Sequence, residues 1–381
     1  MKITKVETIR VAEMDRICWV QIHTDEGQIG LGETWYGARC VEAAVHELFV
    51  PLLVGRNPLD IERHWFNMFR LADHWGYGGA ETRAISAIDI ALWDIAGQAA
   101  GLPIYDMLGG ACRDRIRIYN TGGGPEWPHN PVPWAKENLS RGITAMKVGA
   151  FPDHHKGDGY SLTEGELEKI VEPVRRIREA IGDAMEIAID GHGFWSLHNA
   201  TRLGRALDQY RPLWLEEMMS TFNVDSHLRL ADAVKAPVCL AERLVTRYQF
   251  REYVERGAAE IVMPDLIWTG GISETKKIAT LAETYQVPVC PHDCTGPVNV
   301  FACAHICMNA PNAMLMETTR PYYDGWYGKF VTNNLNIQNG HLLAPEGPGL
   351  GTKLLPEVRN RKDVSIETSD KPREHYLGWL H

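Results

Sequence analysis

The chain has 381 residues, 45% of them apolar and 9% aromatic, with a net charge of −10. That length holds a barrel of ~250 residues and a second module beside it. The acidic balance and the lack of a basic cluster argue against nucleic acid as a partner. No apolar run reaches the ~18 residues of a membrane span, and the opening MKITKVETIR has no apolar signal segment, so a cytoplasmic protein without a membrane partner is expected. None of the eight cysteines forms a CxxC pair. Cys239 and Cys290 lie in apolar strands and Cys303 and Cys307 on an apolar helix, so reduced, buried thiols are expected.

In chain order, ITKVETIRV and ICWVQIHT alternate like strands, and a DEG turn leads into GQIGLGETW. A small antiparallel meander is predicted there. Helical periodicity follows over Val41 to Leu53 and Pro58 to Leu71. A long helix from Thr82 to about Ala100 carries Ile85, Ile88, Leu92, Ile95 and Ala99 on one face and stops at GLP. Residues 1–112 thus read as an α+β capping module.

The rhythm then changes to strand, helix, strand. Strands are predicted at Ile116–Asn120, Ala145–Val148, Glu186–Asp190, Leu213–Glu216, Val238–Glu242, Ile261–Asp265, Val287–His292 and Met314–Glu317. Amphipathic helices lie between them; one opens on a Thr163/Glu166 capping box, and Pro173 is expected to kink it. Eight such strands make a (β/α) barrel over residues 113–327. The last helix is reduced, and residues 328–381 are expected to pack back on the capping module. An insertion from Ala150 to Ser161 contains His154 and His155, read as an exposed loop rather than ligands.

Three acids, Asp190, Glu216 and Glu242, follow short apolar runs at equal intervals. Barrel active sites lie at the carboxyl ends of the strands, and three oxygen ligands converging there suit a hard divalent cation, Mg²⁺ above others. A similar, less even spacing continues through Asp265, His292 and Glu317. A histidine oriented by an aspartate on the preceding strand is a competent general base. His192, two residues beyond Asp190, is a candidate second acid from the opposite side. Lys147 is a candidate to bind a substrate carboxylate or to act as a base. A metal, a carboxylate ring and a His–Asp pair suit removal of a proton α to a carboxylate, which needs strong stabilisation of the enediolate.

Over essentially its whole length the chain resembles the enolase superfamily, mandelate racemase subgroup. The resemblance rests on ALWDIAGQAAGLPIYDMLGG (Ala91–Gly110), the series Asp190, Glu216, Glu242, the Asp265/His292 pair and Glu317. It implies a capping domain over a modified (β/α)7β barrel, one Mg²⁺ per site and an even-numbered homo-oligomer. DGHG, PHDCTGP and Lys147-Val148-Gly149, where racemases carry a second lysine, resemble acid-sugar dehydratases of the galactonate or gluconate type. In that reading an aldonate loses its C2 proton to His292, Glu317 is protonated and donates to the enediolate, and His192, or His292 itself in a syn elimination, protonates the departing 3-hydroxyl. Arg16, His74, Trp75 and Tyr77 are candidate substrate contacts from the capping loops. Two alternatives stay open: an epimerase or lactone-forming cycloisomerase on the same fold, and a barrel that only binds a ligand.

Overall fold

The computed structural model describes residues 1–122, 130–150, 157–240 and 242–372, with only the backbone of Trp75. His154 and His155 lie outside these residues. The amino-terminal strands β1 (Ile3–Val11), β2 (Ile17–Thr24) and β3 (Ile29–Trp35) form the predicted antiparallel meander. The helix Ala80–Ala100 packs across it and buries nearly all its middle turns. It comes so close that a Cβ on Gly32 would stand 1.8 Å from the Ala87 carbonyl oxygen, so only glycine fits there.

The barrel strands are β4 (Arg115–Asn120), β5 (Ala145–Gly149), β6 (Glu186–Asp190), β7 (Leu215–Glu216), β8 (Val238–Leu240), β9 (Ile261–Val262) and β10 (Met316–Thr318). Neighbours pair in parallel from β4 round to β9, and β10 returns to pair with β4. The predicted strand Val287–His292 survives only as bridges from Val289 to Val262 of β9 and to Ala313, three residues before β10. Pro288 and Pro291 have no N–H to donate to a longer ladder there. Tyr119, Trp214, Cys239, Met263 and Cys290 are among the side chains filling the interior. The Thr163/Glu166 capping box forms, and Pro173 sits within one continuous helix, Glu164–Ile181.

The carboxyl-terminal segment divides between both modules. β11 (Ile337–Gln338) and β12 (His341–Leu343) form a hairpin on β4, and β13 (Val364–Ser369) adds to the edge of the capping sheet at β1.

Buried carboxylates of the capping module hold it to the barrel. Glu33 accepts from the Trp19 indole and from the amides of Val298 and Asn299, at the start of the helix Pro297–Asn309. Asp89 accepts from the Ser273 amide and hydroxyl (2.9 and 2.6 Å). The unpaired amides at each helix start donate to these carboxyls, against the burial that favours their protonated forms. Glu33 needs Gly296 beside it, where a Cβ would stand 2.2 Å from a carboxylate oxygen.

Candidate active site

The strand ends bring the sequence-predicted acids to one mouth of the barrel. Register places Gly149 beside Asp190 and Asp190 beside Glu216. Lys147 lies beneath, its Nζ 2.6 Å from Glu216 and 2.7 Å from Glu317. Burial alone would lower the lysine pKa, but Glu216 and Glu317 overcome it and hold the group well above its ordinary value. Lys147 is therefore an ammonium, which corrects the expectation that it is available as a base. Glu317 also departs from expectation. Burial would raise its carboxyl, yet Lys147 and His292, with the amide of Asp293 donating at 3.0 Å, hold it below the ordinary value. It is an ionised acceptor here, not a protonated donor.

His292 receives the orientation expected. Its Nδ1 lies 2.7 Å from Asp265 Oδ2, leaving Nε2 toward the site, 3.3 Å from Glu242 and 3.4 Å from the Cys294 thiol. Burial would lower its pKa; Cys294, Glu242, Glu317 and Asp265 outweigh that and raise it well above the ordinary value. Asp265 also accepts from the Ile267 amide, which fixes the orienting carboxylate from both sides. The indole of Trp268 covers the imidazole, ring centres 5.2 Å apart. His192 sits in a left-handed turn (φ 51°), its amide donating to Asp190 Oδ1 at 2.7 Å.

Above this floor lies a cavity of about 380 Å³ lined by Tyr36, Gly78, Arg83, His192, Glu242, Arg243, Val245 and Trp268. Of the predicted capping contacts, Arg16 lies exposed over the Tyr36 ring at its edge. Tyr77 instead packs on Phe69, and His74 is exposed in the last turn of the helix Ile61–Trp75; neither lines the cavity. The Trp75 side chain lies outside the described residues. Sequence reasoning missed Tyr36, Arg83, Trp268 and Arg243. Arg243 pairs with Glu217 and with Glu242 (3.1 Å), and its place directly after a strand-end acid was the available signal. Arg83, in the first turn of a long helix, offered none.

Burial and then Glu242 push Asp190 above the ordinary carboxyl value; burial and then Asp190, Glu317 and Glu242 push Glu216 well above it, and Lys147 opposes both. The crowded anions and their oxygen donors fit a divalent cation in kind and place. Among the described residues they do not close into a ready-made cage, because Lys147, Arg243 and His292 engage them.

A family model described as enolase C-terminal domain-like matches residues 132–358, and the mandelate racemase/muconate lactonizing enzyme N-terminal domain matches residues 5–109. The chain belongs to the enolase superfamily. Enolase superfamily members depend on Mg²⁺ in general. D-Galactonate dehydratase of Ralstonia nicotianae is 36% identical over 93% of this chain and 92% of its own. D-Xylonate dehydratase of Haloferax volcanii is 34% identical, covering 93% and 87%. A solved enolase of the mandelate racemase subgroup from Agrobacterium tumefaciens is 42% identical, with a TM-score of 0.91 over 97% of this chain and 99% of that one.

Proposed function

We propose that this protein is a Mg²⁺-dependent hydro-lyase that converts an aldonate to a 2-keto-3-deoxy sugar acid. The observation that carries the reading is the His292–Asp265 pair on the floor, with His192 lining the cavity above it. Relatives named D-galactonate and D-xylonate dehydratase, similar along nearly the whole chain, support it.

Asp190, Glu216 and Glu242 would hold the cation, which supplies Lewis-acid stabilisation of the negative charge that builds on the substrate carboxylate. Lys147, fixed as an ammonium, adds positive charge to the same floor. The negative charge that raises His292 would be offset by a cation held by Glu242 and its neighbours; Nε2, then unprotonated, takes the C2 proton, and Asp265 on Nδ1 stabilises the imidazolium that results. His192 gives a proton to the 3-hydroxyl, which leaves as water. The resulting enol becomes the 2-ketone.

The test is a panel of aldonates assayed for 2-keto acid formation with Mg²⁺, before and after exhaustive chelation. Turnover that chelation abolishes and Mg²⁺ restores is expected, and Glu216→Gln is expected to bind the ion poorly. A product of unchanged mass would turn the reading to an epimerase or cycloisomerase. Full activity after chelation would remove the metal from it.

A further inference from the structure

We infer that Arg83 is a specificity-determining residue whose guanidinium binds oxygen acceptors at the far end of the substrate. The inference rests on the dehydratase reading for the orientation of the substrate, its acid end on the floor and its remaining carbons toward the capping module.

Arg83 is half-buried at the start of the helix Ala80–Ala100 and lines the same cavity as His192 and Glu242. A guanidinium carries five N–H donors in a planar fork. Only Nη1 is used, donating to the Trp35 carbonyl at 2.6 Å, and Arg83 makes no ion pair among the described residues. Arg243, the other guanidinium lining the cavity, pairs with two carboxylates, Glu217 and Glu242. Asp265 attracts the guanidinium without forming an ion pair with it; withdrawing a cation from water without such a pair or a full set of acceptors costs free energy, and desolvation, the largest effect, lowers the Arg83 pKa. A ligand that supplies acceptors would offset that cost.

The group is also held ready. Its guanidinium carbon lies 4.6 Å from the centre of the Trp268 ring, and the Trp268 indole N–H shares the Trp35 carbonyl at 3.2 Å. Arg83 is thereby fixed in one orientation before substrate arrives, which lowers the entropy lost on binding. The hydroxyls of an aldonate and the terminal carboxylate of an aldarate both provide the required acceptors.

The experiment compares wild type with Arg83→Met and Arg83→Lys on four-, five- and six-carbon aldonates and a six-carbon aldarate. It reads kcat and KM, with Kd by calorimetry as a measure that needs no turnover. Wild type is expected to favour the six-carbon over the four-carbon aldonate. Arg83→Met is expected to reduce that preference about 10- to 100-fold, through KM and Kd, as expected for hydrogen bonds to a charged group. Arg83→Lys should recover part of it. A larger loss for the aldarate than for the matching aldonate would identify a terminal carboxylate as the partner, and equal losses would identify hydroxyls. The same loss at every chain length, or a fall in kcat with the length preference intact, would overturn the inference and leave Arg83 as a brace for Trp268. Wild type that binds these acids without dehydrating them would refute the dehydratase reading, while the Kd comparison would still decide the role of Arg83.

Discussion

The floor and the roof of the cavity are built on opposite terms. On the floor, Glu216, Asp265 and Glu317 are fully buried, His292 is 2% exposed, and each charge has a charged partner. On the roof, Tyr36 is 43% exposed, Arg16 lies over Tyr36 and Arg83 over Trp268 as cation–π contacts, and Arg83 and Trp268 donate to the Trp35 carbonyl and not to a charged group. Charges on parallel strand ends are positioned by the backbone ladder, so the reacting groups keep their geometry whatever covers them. Loop and helix-start residues are free to vary without disturbing that ladder, which makes them the natural place for substrate choice.

If the floor carries the chemistry, breaking it should cost the most. His292→Asn is expected to lose ~10²–10⁴-fold in turnover, together with exchange of the substrate C2 hydrogen in deuterated solvent. Exchange at the wild-type rate would assign the base elsewhere. His192 stands between floor and roof, so His192→Asn should dehydrate slowly while still exchanging the C2 hydrogen. Near-normal dehydration would mean that His292 acts as both base and acid on one face.

The buried charges of the floor also predict stability. Lys147→Met leaves Glu216 and Glu317 without their shared cation, and loss of one partner from a buried ionic group costs about 3–5 kcal/mol. Urea unfolding measures this, and a change under about 1 kcal/mol would mean that water or an ion replaces the ammonium.

The smallest effect concerns the seam between the modules. Burial pushes Glu33 up to about 8, against the Trp19, Val298 and Asn299 donors that pull it down. Its folded pKa exceeds its unfolded one, so the folded state holds more protons between them. The Glu33 contribution to stability is complete below the ordinary value near 4.5 and is lost as pH rises toward about 8. Glu33→Gln should flatten the decline in unfolding free energy over pH 5–8, and an unchanged slope would exclude Glu33 as its source.

The amino-acid sequence by itself determined the barrel rhythm and the floor. A parallel strand is a short apolar run, and the first acid or histidine after it falls at one mouth of the barrel, so Asp190, Glu216, Asp265, His292 and Glu317 were legible as a group from their spacing. Protonation was not legible, because it depends on neighbours distant in the chain. Lys147 meets Glu317 only because β10 closes on β4, beside β5, and that contact makes one an ammonium and the other a carboxylate. The roof was decided by tertiary structure. His74 and Tyr77 had the right chemistry in the right loop, but the helix end turns Tyr77 onto Phe69. Arg83 and Trp268, far apart in the chain, meet over the site because the capping module docks on the barrel and offers both the Trp35 carbonyl. Periodicity records which face of an element is buried, whereas the partner that covers that face is chosen only when the modules pack.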